Sequence, residues 1–271
     1  MTESTRKTLQ MGEILRVEIE KVAHGGHFIA RYEGAVIFVR HAIPGEIVEV
    51  EITGTEKSFA RADVRAVIEA SPNRVIAPCK YSGACGGCDF QHIDAGRQRE
   101  LKSDVIAEQF ARIAKMEVDV EVEEVSTALG WRTRFGASSD SRGEIGFKAQ
   151  RSSEVIAIHS CPVLIPEIDF PTLPLGDIGA NKRVEVAFSS TGERSIAVLE
   201  ARTERTEQRS KAKIIEGGTS LTYSATDRDY RVSQSAFWQS NLNAPQSLVD
   251  AVLEFAEFKS GEHLLDLYGG V

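Results

Sequence analysis

Three things are scarce in this chain of 271 residues: long apolar runs, low-complexity tracts and cysteine. No apolar stretch approaches the roughly 18 residues that a membrane-spanning helix needs, so association with a membrane is not expected. The opening Met1-Thr2-Glu3-Ser4-Thr5-Arg6-Lys7 is polar and lacks the apolar centre of a secretory signal. The expected compartment is therefore the cytoplasm, where thiols stay reduced. The four cysteines then read as metal ligands before they read as disulfides. A basic excess is missing as well, since the net charge is −8. That argues against nucleic acid only for the chain as a whole, because phosphate contact depends on a local patch. With 42% hydrophobic and 27% charged residues, the remainder has the composition of a soluble globular protein, long enough for two or three domains.

The four cysteines are unevenly placed. Cys79, Cys85 and Cys88 lie in one glycine-rich loop, Cys79-Lys80-Tyr81-Ser82-Gly83-Ala84-Cys85-Gly86-Gly87-Cys88, just after Pro78. Cys161 is remote and is followed by Pro162. Four soft sulfur ligands suit an iron–sulfur cluster or a structural zinc. Structural zinc usually draws its cysteines from two close pairs. One Cys-x-x-Cys, one cysteine ahead of it and one distant Cys-Pro look more like cluster ligation, with zinc and free thiols as the alternatives. Gly86 and Gly87 would let backbone N–H groups turn toward the sulfurs. His92 and His159 are near enough in sequence to replace a thiolate, although packing or an outer-shell contact is the plainer role. If all four thiols hold a metal, none is left to act as a nucleophile.

Around this loop the periodicity changes twice. From about Thr8 to Ile68 it is two. Leu15, Val17 and Ile19 alternate with Arg16, Glu18 and Glu20, and Val48, Val50 and Ile52 alternate with Glu49 and Glu51. Breaks at His24-Gly25-Gly26, Glu33-Gly34 and Ile43-Pro44-Gly45-Glu46, with a last strand in which Ala60, Ala62, Val64 and Ala66 alternate with Arg61, Asp63 and Arg65, make five short strands. The expected fold here is a small OB-like barrel, an architecture that often binds oligonucleotides but can also be a plain packing module. Ser71-Pro72-Asn73-Arg74 reads as a linker. Asp94 is a helix N-cap candidate for a helix reaching about Met116, with Leu101, Val105, Ile106, Phe110 and Ile113 as its core stripe.

Farther on, Trp131-Arg132-Thr133-Arg134-Phe135 interleaves flat rings with guanidinium groups, followed by Arg142, Lys148 and Arg151. That mixture suits phosphate contact and base stacking, and equally an ordinary solvated strand face. Glu144–Phe147 and Val155–Ile158 read as paired strands leading to Cys161, and Lys182–Leu199 is again strand-like. Arg202, Arg205, Arg209, Lys211 and Lys213 form a basic run suited to a second phosphate surface or a solvated loop. Asn243-Ala244-Pro245 is a helix start. After Lys259-Ser260-Gly261, a strand at His263–Tyr268 runs into Gly269-Gly270, the way a doubly wound nucleotide-binding domain begins.

Taken together these features resemble the bacterial RNA (uracil-5-)-methyltransferases that carry an N-terminal TRAM domain, the 23S rRNA type especially. The resemblance covers essentially the whole chain. It rests on the barrel ending Phe59-Ala60-Arg61-Ala62, the spacing of the four cysteines, Trp131-Arg132-Thr133-Arg134, Phe237-Trp238-Gln239-Ser240-Asn241 and Leu265-Asp266-Leu267-Tyr268-Gly269. It implies an α+β multidomain chain: a five-stranded OB-like TRAM barrel over residues 1–70, and a central mixed α/β domain with the iron–sulfur loop over 71–240. Residues 241–271 would be the first helix and strand of a Rossmann-type methyltransferase domain.

By the same matching, Cys79, Cys85, Cys88 and Cys161 hold a 4Fe–4S cluster. Four protein ligands leave no vacant iron site, so the cluster's role is expected to be structural. Arg132 and Arg134 contact RNA, and Phe237 stacks on the target uridine. Gln239 and Tyr268 contact S-adenosylmethionine. In the family a cysteine thiolate adds to C6 of uracil, because C5 alone is a poor nucleophile, and C5 then takes the methyl group. That cysteine and the general base are expected beyond Val271, so no catalytic residue is assigned here and the 271 residues are expected to be an inactive, monomeric fragment. The competing readings are a non-catalytic RNA-binding iron–sulfur protein and, from the cysteine loop alone, a radical methylthiotransferase. In the latter, however, the first cysteine spacing is shorter and the TRAM domain usually comes last.

Overall fold

The computed structural model describes residues 7–176, 178–200 and 212–266. The chain divides into two compact units, one of Met1–Gly83 with Cys88–Glu124, the other of Ala84–Gly87 with Val125–Val271.

The first unit is built on a closed five-stranded barrel. Its strands are β1 (Ile14–Val22), β2 (Phe28–Tyr32), β3 (Ala35–Arg40), β4 (Ile47–Thr55) and β5 (Ala60–Glu69), in the order β1-β2-β3-β5-β4. The period-two pattern is the cause. Leu15, Val17, Ile19, Ile37, Val39, Val48 and Val50 point inward and are buried, while the charged residues between them face out. Each such side chain contributes roughly 1.5–3 kcal/mol on burial. All neighbours are antiparallel except β3 with β5, which pair in parallel and close the barrel. The expected OB-like barrel is present.

Glu46, in the turn before β4, is fully buried. Its carboxylate accepts the backbone N–H groups of Ile43 at 2.9 Å and Ser71 at 3.1 Å. Arg74 donates to it from Nε at 2.6 Å and from Nη2 at 2.7 Å. A buried carboxylate tolerates its desolvation only with such partners, so Ser71–Arg74 is a strap on the barrel rather than a loose linker.

Helix α1 spans Ala95–Gln109, and the Asp94 carboxylate accepts the N–H groups of Gly96 and Arg97 as an N-cap should. Its core stripe is shorter than the sequence suggests. Leu101 is 1% exposed and, with Ile93, joins the barrel core, and Val105 packs partly against it. Ile106, Phe110 and Ile113 are exposed. Lys21 on β1 pairs with Glu108 at 2.8 Å, which marks where the helix meets the barrel. Beyond that point the backbone loosens into a π turn at Phe110–Ala114 and stops at Lys115, which has φ of 59°.

The second unit is a six-stranded sheet in the order β11-β10-β9-β6-β7-β8. Its strands are β6 (Arg134–Ser139), β7 (Ile145–Lys148), β8 (Val155–Ala157), β9 (Lys182–Phe188), β10 (Arg194–Glu200) and β11 (Lys213–Glu216), all antiparallel to their neighbours. The expected pairing of 144–147 with 155–158 is present as β7 and β8. Gly146 is obligatory there, because a Cβ would sit 1.9 Å from the Ile156 carbonyl oxygen. A hairpin follows, β12 (Ser220–Ala225) and β13 (Arg228–Ser233), turned by Thr226 and Asp227 at positive φ. Its Leu221, Tyr223 and Val232 bury against Ala187.

Two expectations change in this unit. The expected mixed domain over 71–240 is strand-dominated: α1 is its only α-helix among the described residues, and none occurs between β6 and β13, where the segments alternate with a period of two and none sustains a helical stripe. Helix α2 (Ala244–Ala256) forms as read, with Pro245 in its first turn. The strand expected next does not: Glu262–Asp266 is irregular. Tyr268 and Gly269-Gly270 lie outside the described residues, as do Arg202, Arg205, Arg209 and Lys211 of the basic run.

Candidate functional site

Two motifs a hundred residues apart in sequence are zipped together in the second unit. The Thr133 N–H and hydroxyl both donate to the Ser240 carbonyl, at 2.8 and 3.0 Å. The Leu242 N–H donates to the Trp131 carbonyl at 3.0 Å, and Arg132 forms a β-bridge with Asn241. Trp131–Arg134 therefore lies alongside the segment containing Phe237, Gln239 and Asn241. Asn241 continues the tie, donating from Nδ2 to Ser126 Oγ at 2.7 Å.

Arg134 occupies the middle of this seam. Its Nη1 donates to the Tyr223 hydroxyl at 2.6 Å, and its Nη2 to the carbonyls of Gln234 at 2.6 Å and Ala236 at 2.9 Å. Burial pushes the Tyr223 phenol up although the guanidinium opposes the shift, so the hydroxyl stays protonated and its oxygen accepts. Trp238 stacks at 4.8 Å on Tyr223 and 5.5 Å on Tyr230. The chain is thus fixed on both sides of Phe237, whose own ring is 79% exposed. An apolar ring held in water by a fixed backbone loses little conformational entropy when something flat lands on it. Gln239 is half-buried in the same segment.

Arg132 is placed differently. Its guanidinium carbon lies 4.9 Å from the Trp131 ring centroid, and its Nε is buried with no hydrogen-bond partner among the described residues. A buried N–H left unpaired costs about 1–3 kcal/mol, which an arriving acceptor recovers. Arg132 lines a cleft of about 610 Å³ on the sheet, together with Gly86, Phe135, Phe147, Lys148 and Arg183. Of the neighbouring cations singled out in the sequence, Arg142 is tied to Asp140 at 3.3 Å and Glu144 at 2.8 Å.

The thiols are distributed between the units. In the first, Gln91 Oε1 accepts the Cys79 N–H at 3.2 Å, and Arg40 reaches Asp89, the neighbour of Cys88, at 3.3 Å. In the second, Cys85 bridges to Ala149, and the Gly87 N–H donates to Cys85 Sγ at 3.4 Å. The Gly86 N–H turns instead to the Lys148 carbonyl at 3.0 Å. A Cβ on Gly86 would lie 2.9 Å from Gln150 N and Lys148 O, so only glycine permits this approach. All four cysteines are half-buried and none is in a disulfide. Among the described residues, no three His, Cys, Asp or Glu side chains are grouped to hold a metal ion. His92 is buried and bonded through Nε2 to the Ala42 carbonyl at 3.0 Å, a packed residue, while His159 is exposed.

Sequence reasoning had singled out Arg132, Arg134 and Phe237 but not Tyr223, Tyr230 or Gln234. The alternation of Leu221 and Tyr223 with Thr222 and Ser224 is the signal that could have found that strand.

Residues 9–64 match the TRAM domain family. Among curated proteins the chain is similar to an uncharacterized RNA methyltransferase of Streptomyces avermitilis, at 35% identity over 96% of this chain and 68% of that protein. It is also similar to the 23S rRNA (uracil(1939)-C(5))-methyltransferase RlmD of Shewanella amazonensis, at 29% identity over 97% of this chain and 67% of the relative. Among solved structures, it shares a fold with the tRNA (uracil-54, C5)-methyltransferase of Pyrococcus abyssi in complex with S-adenosyl-L-homocysteine. That match has a TM-score of 0.62 and 21% identity, and covers 88% of this chain and 64% of the other. The chain thus spans about two thirds of the length of the relatives it matches. No helix among the described residues is long and apolar enough to cross a membrane.

Proposed function

The chain belongs to the TRAM-domain RNA methyltransferases, and from that premise we propose that it serves the S-adenosylmethionine-dependent methylation of uridine at C5 in RNA, with ribosomal RNA favoured over transfer RNA. One observation carries the reading: the ring of Phe237 stands 79% exposed on a backbone fixed by Arg134 and by the Tyr223–Trp238–Tyr230 stack. A uridine whose C5 and C6 must be reached has to leave its helix, and the faces of its ring then need a partner. Phe237 supplies one face. Arg132, whose segment bridges to Asn241 of the Phe237 segment, brings a charge to the cleft on the sheet, suited to a phosphate or a carbonyl oxygen. Arg134 acts one step back, as the residue that holds the Phe237 turn. S-adenosylmethionine supplies the methyl group when bound, and Gln239 and Tyr268 are proposed to contact it.

Cys79, Cys85, Cys88 and Cys161 are proposed as the ligands of a 4Fe–4S cluster. The chemistry of the donors fits: four thiols free of disulfides, and the Gly87 N–H already directed at Cys85 Sγ. A cluster bound this way has no open iron and would act structurally.

The favoured ribosomal substrate is supported by the activity for which the Shewanella relative is named. Deleting the gene in its host and mapping 5-methyluridine by mass spectrometry tests the whole reading. Loss of one 5-methyluridine from ribosomal RNA, restored by the intact gene, is the expected result. An unchanged 5-methyluridine content in both ribosomal and transfer RNA would contradict it.

A further inference from the structure

The outer face of the barrel carries one row of residues unlike the rest. Across β2, β3, β5 and β4, the register places Ile29 beside Phe38, Phe38 beside Arg61 and Arg61 beside Gly54. Elsewhere the outward positions are mostly charged, as in Glu49, Glu51, Asp63 and Arg65. In this row the Phe59 ring, at the lip of β5, meets Phe38 edge to face at 5.2 Å and 86°. The Arg61 guanidinium carbon lies 4.9 Å from the Phe59 centroid. Gly54 leaves the β4 side of the row without a side chain, so nothing from that strand covers the arginine.

Beside Phe59 opens a cleft of about 330 Å³, lined also by Lys7, Thr55, Glu56 and Lys57. It is at the small end of ligand sites, room for a nucleotide and not for a double helix. Lys7 is engaged by Glu13 at 3.1 Å and Glu56 adds a carboxylate, so Lys57 is the cation lining the cleft with which the lip can meet a phosphate, while Arg61 reaches the site only through its contact with the Phe59 ring.

We infer that Phe38, Phe59 and Arg61 form a stacking subsite for an unpaired base of the RNA, with Lys57 at the phosphate. This rests on the RNA-methyltransferase reading and adds to it where, and by what chemistry, the barrel takes hold. The Phe59 ring lines the cleft and is held in place by the Phe38 edge and the Arg61 guanidinium, and an aromatic ring so placed takes any base, which makes the subsite selective for single strands and tolerant of sequence. A duplex hides its base faces and would gain only the cations.

The test uses the full chain, with fluorescence anisotropy of a fluorescein-labelled oligouridine and of an RNA duplex of equal length, across a salt series. Phe59→Leu should weaken oligouridine binding about tenfold, the loss of one stacked base. That loss should be the same at every salt concentration, and duplex binding should be unmoved. Arg61→Gln should weaken oligouridine binding and lower the salt slope by about 1. It serves as the second probe if Phe59→Leu unfolds. Unchanged oligouridine affinity in both variants, with the parent chain binding well, overturns the subsite and leaves the methyltransferase reading standing. Equal losses on oligouridine and duplex in Phe59→Leu also overturn it. Failure of the parent chain to bind either RNA sinks the subsite and the RNA reading together.

Discussion

Arg134 shows how far a residue's type can be read from sequence and where reading stops. Its place in Trp131-Arg132-Thr133-Arg134 marks it as an arginine beside aromatic rings, and a guanidinium suits phosphate as well as carbonyls. Which of these it meets depends on Tyr223, Gln234 and Ala236, some ninety to a hundred residues away, and no local pattern encodes that. Arg132, two residues earlier, keeps a buried Nε unpaired. Arg134→Lys keeps the charge but cannot reproduce the forked geometry. We expect the second unit to lose about 2–3 kcal/mol in urea unfolding, two charge-assisted hydrogen bonds being lost. Trp238 fluorescence should shift at the same time as its stack loosens.

His92 gives a second prediction at this scale. Burial, reinforced by the nearby Arg74 and His41 charges and only partly offset by the bond to the Ala42 carbonyl, pushes its imidazole down to about 4. In the unfolded chain the same group titrates near the ordinary ~6.5. Between those two values the unfolded state binds the extra proton. The stabilisation is therefore complete above about pH 6.5 and is lost as pH falls toward 4. The loss should be on the order of 2 kcal/mol for a group not wholly shielded from water. His92→Gln should flatten that acid limb of the melting temperature against pH. An unaltered limb would show that other groups produce it.

At the scale of elements, the barrel was the most legible part. Alternation over Leu15–Ile19 and Val48–Ile52 marks strands in any context where one face is buried, and every strand of the barrel has such a face. Helix α1 was legible in its cap and misleading in its stripe, because a helical period records what could be buried and not how far a neighbouring surface extends. Ile106, Phe110 and Ile113 keep the period and lack the neighbour. The segment after α2 failed for the opposite reason: a strand is a relation between two segments, and Leu264 and Leu265 pair with no described strand. The spacing of the cysteine loop suggests a metal site, whereas among the described residues no three His, Cys, Asp or Glu side chains are grouped to hold one. The loop's packing on the β7–β8 hairpin through Gly86 was not legible, since the clash that makes glycine necessary involves backbone sixty residues distant. Gly86→Ala has to displace Lys148 or Gln150. We expect a cost of about 1–3 kcal/mol and less iron and sulfide per chain after anaerobic purification. Full iron content in this variant would separate the loop's packing from its metal chemistry.

For the molecule as a whole, the two features proposed to face RNA lie on separate compact units: the aromatic row of the barrel in one, and the Phe237 turn with Arg132 in the other. RNA is the ligand proposed for both, in keeping with membership of the TRAM-domain RNA methyltransferases. The net charge of −8 pointed the other way because it sums over the solvated acidic positions of the barrel strands and the Glu117–Glu124 stretch, and says nothing about where Arg61, Arg132 or Lys57 stand. The central claim is that a rigidly presented Phe237 ring receives the target uridine. The most direct measurement is the 5-methyluridine restored to the deletion strain by variants of this one residue, quantified by mass spectrometry of purified ribosomal RNA. Phe237→Tyr, which keeps the ring, should restore the modification, and Phe237→Ala at equal protein level should leave less than about a tenth of it, one stacked base being lost. Full restoration by Phe237→Ala would contradict the account.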